Sequence, residues 1–176
     1  MPIGVDLALP DGGASLELDL LAGPAMGSGR QPWTRTMLTA LECYVRPGMR
    51  VADVGTGTGI LGLVALKLGA AAVDGVDTDP LACAVARRNA RRNDPRLEIR
   101  AALEGSYDIV LVSLGGLGET SGVVPALLPH AGNLLVAGPA EGDAELARLQ
   151  ALFPSNVETI SVDGWHAVLA RVSSRP

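Results

Sequence analysis

One short segment carries most of the chemistry that this sequence suggests. Residues 51–59 (VADVGTGTG) form an apolar run that contains Asp53 and leads into a turn with glycines at 55, 57 and 59. Glycine tolerates positive φ and lets a ligand approach the backbone because it has no Cβ. The apolar residues 60–68 that follow predict a helix. The turn therefore lies between a strand and a helix N-terminus, where amide N–H groups can meet an anion or a polar ligand edge.

A second acidic position makes this interpretation more specific. Residues 72–76 predict another strand, and Asp77 follows it directly, 18 residues beyond Gly59. In nucleotide sites an acid about 20 residues past the glycines accepts hydrogen bonds from ribose hydroxyls. Ile60 stands where a dinucleotide fingerprint would have its third glycine, so the turn is G-x-G-x-G. We expect a nucleoside-type ligand; the alternative is a glycine-rich connection that binds nothing.

These residues resemble motif I and the following acidic strand end of class I S-adenosylmethionine-dependent methyltransferases. Residues 27–35 (GSGRQPWTR) and 51–93 are also similar to the methyltransferases that modify lysines of a ribosomal large-subunit stalk protein, with a resemblance over about residues 26–112. The resemblance implies S-adenosylmethionine as cofactor, with the glycine turn at its amino-acid part, Asp77 at its ribose, and Asp53 holding the turn or a water beneath it. The cofactor-binding residues expected on this basis are Asp53, Gly55, Thr56, Gly57, Gly59, Asp77, Thr78, Ala102, Ser113 and Thr34.

The sequence departs from that family on the substrate side. The family has a histidine where this chain has Gln31, and a threonine where it has Trp33. Residues 113–116 (SLGG) replace an Asn-Ile-Leu-Ala stretch whose asparagine helps to hold the amine. The family also has a separate N-terminal domain that grips the ribosomal protein, whereas about 25 residues precede the motif here. We therefore expect the family's mode of cofactor binding to apply to this chain, and its mode of substrate binding not to apply.

The alternation of apolar strands and helices predicts the fold class. It indicates an α/β protein with a doubly wound, mostly parallel Rossmann-like sheet. Asp163-Gly164 between two β-rich segments predicts a C-terminal antiparallel strand pair. We expect residues 1–25 to be an N-terminal extension, loosely ordered over 1–14 with a short strand at 15–20, and residues 26–176 to be a single methyltransferase-like domain. The predicted elements are strands at 50–54, 72–76, 96–100, 107–112, 133–137, 156–162 and 165–172, and helices at 34–44, 60–68, 80–93, 123–128 and 143–152.

Composition and charge restrict the partners. A net charge of −5 and an isoelectric point near 5.0 argue against a general nucleic-acid binder. The arginines between 87 and 96 favour a solvated helix face, with a docking patch for an acidic partner as the alternative. Cys43 and Cys83 have no metal-type spacing, so we expect no metal site. Without a signal-peptide pattern or a membrane-length apolar run, we expect a cytoplasmic protein with no membrane partner. The oligomeric state is open.

The candidates for catalysis are few, because methyl transfer from a sulfonium chiefly requires alignment of the reacting atoms. A proton must leave an oxygen or ammonium acceptor, for which the candidates are Glu119, His166, Ser113 and Tyr107, with a structural role favoured for His166. Glu119 lies in a segment, 114–122, with four glycines, which we interpret as a flexible loop that is either a lid or a plain connection. Trp33 can stack on a substrate or pack in the core.

Three functions remain open at this point. We favour an S-adenosylmethionine-dependent methyltransferase that acts on a small molecule or peptide. The alternatives are a protein methyltransferase and a non-catalytic or repurposed S-adenosylmethionine-binding domain.

Overall fold

A seven-stranded sheet with helices on both faces forms the body of the protein, and a two-stranded hairpin packs beside it. The computed structural model describes residues 2–7, 15–21, 31–153 and 157–172, with the backbone alone for 2–7 and Leu117. The strands are β1 (Pro2–Leu7), β2 (Leu16–Leu21), β3 (Arg50–Val54), β4 (Ala72–Val76), β5 (Leu97–Ile99), β6 (Tyr107–Ser113), β7 (Ala131–Glu141), β8 (Val157–Val162) and β9 (Trp165–Arg171). The helices are α1 (Pro32–Tyr44), α2 (Ile60–Lys67), α3 (Pro80–Asn93), α4 (Leu117–Leu127) and α5 (Gly142–Gln150), with a 3₁₀ turn at Leu128–His130.

The sheet order is β5-β4-β3-β6-β7-β9-β8, which confirms the predicted fold class. Strands β3 to β7 run parallel, and β9 is antiparallel to both of its neighbours. The chain builds the sheet outward from β3 in one direction and from β6 in the other. Ligands of doubly wound sheets bind at such a switch point, outside the carboxyl ends of the strands.

Side-chain alternation along the central strands divides the core into two layers. In β6, Ile109 and Leu111 pack into the layer that contains α1 and α2, whereas Val110 and Val112 pack into the layer that contains α4 and α5. All four are buried, as expected of a parallel strand covered on both faces. Helix α2 is buried from Ile60 through Leu66, so the glycine turn before it is anchored by a helix with almost no solvent-facing side.

The N-terminal hairpin corrects one expectation. Residues 2–7, which we expected to be loosely ordered, form β1 and pair antiparallel with β2, the strand predicted at 15–20. Ile3, Val5 and Leu7 alternate with Gly4 and Asp6, a pattern that is typical of a strand but was not used in the prediction. Leu18 and Leu20 of β2 are buried in the same core layer as α2. The hairpin is therefore packed on the helices rather than added to the main sheet.

The Asp163-Gly164 turn joins β8 and β9 as predicted. Both residues have positive φ, 51° and 79°. Successive positive values are typical of a two-residue hairpin turn that matches the twist of its strands.

Helix α4 replaces most of the loop expected over 114–122. The chain becomes helical at Leu117, six residues before the predicted start at 123. The N–H and Oγ1 of Thr120 both donate to the Gly116 carbonyl, each over 3.1 Å. Thr120, Val124 and Leu127 are buried at helical spacing. Burial of this face outweighs the low helix propensity of the glycines, which is about 1 kcal/mol per residue.

Some expectations fall outside the described ranges. One is the loose order expected over 1–14, as far as it concerns residues 1 and 8–14. The others are the glycine-rich stretch 22–30, which includes the resemblance motif at 27–30 and the expected boundary near residue 26, and the first residue of the strand predicted at 156–162. Across the described ranges, no helix has both the length and the apolar character needed to cross a bilayer.

Candidate functional site

The glycine turn between β3 and α2 is tied to the end of β4. The N–H groups of Gly55 and Thr56 both donate to the Val76 carbonyl, over 2.9 and 3.1 Å. Gly55 has a φ of +79°, and a Cβ built on it would lie 2.4 Å from the Ser113 carbonyl oxygen at the end of β6. Only glycine fits a position that combines a left-handed backbone with so close a neighbour. The turn thus joins the carboxyl ends of three strands.

Asp77 faces the turn directly. One carboxylate oxygen accepts a hydrogen bond from the Gly57 N–H over 2.9 Å, and the other accepts from the Asp79 N–H over 2.9 Å. Asp79 in turn caps α3 by accepting from the Leu81 N–H over 2.8 Å, as the Asp-Pro pair predicted. A carboxylate offers about four lone-pair sites, so each Asp77 oxygen keeps a site for a further donor.

Asp53 lies beneath the turn rather than in its cavity. Its Oδ2 accepts from Thr56 Oγ1 over 2.8 Å and from the Gly62 N–H over 3.2 Å, which links the turn to the first residues of α2. Its Oδ1 is buried without a hydrogen-bond partner among the described residues. Burial raises the pKa of Asp53 to about 6. The residue holds the turn in place at an electrostatic cost.

A cavity of about 270 Å³ opens at this edge of the sheet. Seven of the predicted cofactor residues line it: Thr34, Gly55, Thr56, Gly57, Asp77, Thr78 and Ser113. Three do not. Asp53 is buried below it, Gly59 begins α2 with a φ of +83°, and Ala102 is exposed after β5. Asp79, Leu114 and Gly115 also line the cavity, within the segments that the sequence places at the strand ends. Sequence reasoning did not assign Ile60, Leu61 and Ala82 to this wall, although all three lie close to the motifs in sequence.

The structure separates the catalytic candidates. Glu119, in the first turn of α4, and Ser113 both line the cavity. His166 does not; it is buried in β9, where its Nδ1 lies 2.7 Å from the Ser161 hydroxyl on β8. Tyr107 is also buried away from the cavity, and its hydroxyl donates to Asp74 Oδ2 over 2.8 Å. These two side chains therefore lie outside the cavity lining.

Trp33, in the first turn of α1, also lines the cavity. Its ring centroid lies 5.3 Å from that of Trp165, with the planes inclined by 53°. An Arg35–Asp163 ion pair of 2.9 Å further joins the start of α1 to the β8–β9 hairpin. The C-terminal strand pair thus supports the first turn of α1, which sequence spacing alone does not reveal.

The described charged side chains that line the cavity are all acidic. Its described lining contains the carboxylates of Asp77, Asp79 and Glu119 and no Lys, Arg or His. In the part of the chain that the structure describes, no cluster of three or more His, Cys, Asp or Glu has the arrangement of a metal site. The cavity favours a ligand that carries positive charge and hydroxyl donors.

Comparison with known proteins agrees with this geometry. Residues 6–114 match the family described as PrmA, ribosomal protein L11 methyltransferase. A ribosomal protein L11 methyltransferase from Dictyoglomus thermophilum is 35% identical over an alignment of 159 residues that covers 85% of this chain and 52% of that protein. The chain thus spans about half the length of such relatives.

Solved structures show the same fold. The ribosomal protein L11 methylase of Lactobacillus delbrueckii subsp. bulgaricus superposes with a TM-score of 0.74 at 22% identity, over 88% of this chain and 83% of that one. A 16S rRNA methyltransferase of T. thermophilus, in complex with AdoMet and guanosine, gives 0.72 at 19% identity, over 99% of this chain and 50% of the other. With the family match over residues 6–114, the chain belongs to the PrmA family of ribosomal protein L11 methyltransferases.

Proposed function

We propose that this chain is an S-adenosylmethionine-dependent methyltransferase domain whose acceptor is an amine of a protein of the ribosomal protein L11 type. The observation that carries the proposal is the contact of the Asp77 carboxylate with the Gly57 N–H at the edge of a cavity lined by both residues. Family membership supports a protein acceptor over the small-molecule acceptor that we favoured from the sequence.

The described residues fit this cofactor. Each Asp77 oxygen keeps a lone-pair site, which suits the two hydroxyls of a ribose. In the turn at Gly55–Gly57 only Thr56 has a side chain, so a ligand can approach the backbone closely. Ile60 and Leu61 form an apolar part of the cavity wall. When bound, S-adenosylmethionine supplies a methyl group on a positively charged sulfur. Asp77, Asp79 and Glu119 give that charge a favourable field in a partly enclosed site.

The same field favours a basic acceptor. An amine approaches such a cavity as an ammonium, which the carboxylates attract and the face of Trp33 can also stabilise. The amine must lose a proton before its lone pair can bond to the methyl carbon. Glu119 is a cavity carboxylate beside the SLGG segment, since a Cβ built on Gly115 would lie 3.7 Å from its Oε2. The same carboxylates would repel a phosphate-rich acceptor. Nucleic-acid sites instead rely on Lys and Arg, which the described lining of this cavity lacks.

Two measurements test the proposal. Calorimetric titration with S-adenosylhomocysteine should give saturable binding. Incubation with methyl-labelled S-adenosylmethionine and either purified ribosomal protein L11 or a low-molecular-mass extract fraction should place the label on the protein. Label confined to the small-molecule fraction would overturn the protein acceptor, and absence of binding would overturn the cofactor.

Variants of one acid then test its role. Glu119→Gln should lower kcat by at least about 100-fold, in keeping with the usual contribution of a positioned proton acceptor, and leave S-adenosylhomocysteine affinity within about twofold. Asp143→Asn provides a matched control, because Asp143 is an exposed acid in the first turn of α5 and does not line the cavity. Equal kcat in the two variants would remove Glu119 from the mechanism.

A further inference from the structure

One buried amide joins the glycine turn to the N-terminal hairpin. Asn89 of α3 has no solvent exposure. Its Nδ2 donates to the Thr58 carbonyl over 2.9 Å, and its Oδ1 accepts from the Leu21 N–H at the end of β2 over 2.7 Å. These partners lie 31 and 68 residues away in the chain, so a single side chain links three separate elements.

A second asparagine, one turn later on α3, bonds to the hairpin and, over 2.9 Å, to the backbone carbonyl of Asn89. Asn93 Oδ1 accepts from the Asp19 N–H over 2.8 Å, and its Nδ2 donates to the Asp19 carbonyl over 3.0 Å. The pair of asparagines supplies β2 with hydrogen bonds of the kind that a neighbouring strand would provide. Only Asn89 also reaches the turn, which makes Asn93 its natural control.

The position of the Thr58 carbonyl matters for the cavity. Thr58 lies between Gly57, whose N–H contacts Asp77, and Gly59, from which α2 begins. Thr58 is itself 3% exposed, so its carbonyl has little access to water as an alternative partner. A change in this hydrogen bond therefore acts on the Thr58–Gly59 peptide, which lies one residue along the turn from Gly57.

We propose that Asn89 is a positioning residue for the glycine turn, and that it couples docking of the β1–β2 hairpin to cofactor affinity. The inference rests on the proposed function, in which this turn binds S-adenosylmethionine. Coupling of binding free energies is reciprocal: if an ordered hairpin strengthens cofactor binding, the cofactor stabilises the hairpin by the same factor. A ligand or protein segment that engages the hairpin would thereby change the affinity of a cavity that it does not touch.

Paired substitutions test the positioning role. Asn89→Asp keeps the size of the side chain and the acceptor for Leu21, but it places an oxygen against the Thr58 carbonyl. We expect about tenfold weaker S-adenosylhomocysteine binding, the equivalent of one buried hydrogen bond, and a raised KM for S-adenosylmethionine with kcat within about twofold. Asn93→Asp leaves the Thr58 hydrogen bond in place, so it should lower the melting temperature and, through the hairpin alone, weaken binding by less than Asn89→Asp does. Equal affinities for the wild type and both variants would overturn the positioning role.

Hydrogen exchange on the wild-type chain tests the coupling even if Asn89→Asp does not fold. Saturating S-adenosylhomocysteine should slow amide exchange in residues 16–21 as well as in 55–62. In Asn89→Asp, saturating S-adenosylhomocysteine should still slow exchange in residues 55–62 but should no longer slow it in residues 16–21. Binding with unchanged exchange in 16–21 of the wild type would overturn the coupling alone. Absence of any binding by the wild type would overturn the proposed cofactor and the coupling together.

Discussion

Gly55→Ala is predicted to destabilise the fold and to distort the cavity. An alanine Cβ would lie 2.4 Å from the Ser113 carbonyl oxygen and 2.5 Å from Leu114 Cδ2, at a φ of +79°. The left-handed conformation costs a residue with a Cβ roughly 1–2 kcal/mol. The backbone contact forces β6 and the turn apart, which as overpacking costs about 1–3 kcal/mol more. We expect the free energy of unfolding to fall by about 2–5 kcal/mol.

Urea unfolding and calorimetry measure both consequences. The midpoint should fall, and S-adenosylhomocysteine affinity should fall with it, because Ser113 and Leu114 line the same cavity as the turn. Gly122→Ala is the matched control: this exposed glycine lies within α4, where an added Cβ meets no described atom within 4 Å. That change should be neutral or stabilising by about 0.5–1 kcal/mol. A Gly55→Ala midpoint equal to that of the wild type would refute the close packing of turn and strand.

Two further predictions concern buried polar groups. The pKa of Asp53 is about 6 in the folded chain against an ordinary value of 3.8, so the folded chain binds this proton more tightly than the unfolded chain does. The free energy of unfolding therefore includes a contribution from this proton that is fully present below about pH 4 and is lost as the pH rises through 6. Between pH 4 and 7, the free energy of unfolding measured in urea should fall by up to about 3 kcal/mol more for the wild type than for Asp53→Asn. The same pH dependence of this free energy in both proteins would contradict the prediction. Tyr107→Phe removes a hydrogen bond to the buried Asp74, which keeps Arg100 as partner at 2.7 Å, so the unfolding free energy should fall by about 2 kcal/mol. Its S-adenosylhomocysteine affinity should equal that of the wild type, and a changed affinity would place Tyr107 in the binding machinery.

The features that sequence predicts well are those set by neighbouring residues. The strand, glycine turn and helix over 50–67 are local, and so is the placement of Asp77 at the end of β4. Parallel strands place their carboxyl ends at one edge, so these two segments meet there because β3 and β4 are neighbours in the sheet. The Asp163-Gly164 turn is predictable for the same reason, since its positive φ values are a property of the residues themselves.

The features that sequence missed depend on distant partners. Asn89 reads as one polar residue among the arginines of α3, and only its hydrogen bonds to Thr58 and Leu21 reveal its position. The glycines at 118 and 122 indicated a loop, but burial of Thr120 and Val124 stabilises a helix there. In both cases tertiary packing overrides local propensity.

The acceptor side of the site shows the same limit. The replacement of the family's Asn-Ile-Leu-Ala stretch by residues 113–116 removed the local signal for an amine, so the substrate half of the resemblance did not carry over from the sequence. The structure adds two properties that no short motif contains. Glu119 is brought to the cavity by the early start of α4, and Trp33 is supported there by Trp165 from the other end of the chain.

The central claim is that Asp77 and the glycine turn together hold an adenosyl cofactor, and calorimetric titration of S-adenosylhomocysteine into the wild type and Asp77→Ala tests it most directly. Loss of hydrogen bonds to a carboxylate, each about 1.5–3 kcal/mol, predicts binding at least about tenfold weaker in Asp77→Ala. Asp143→Ala, which changes an exposed acid outside the cavity, should bind as the wild type does. Equal affinities for Asp77→Ala and the wild type, or no binding by the wild type, would contradict the claim.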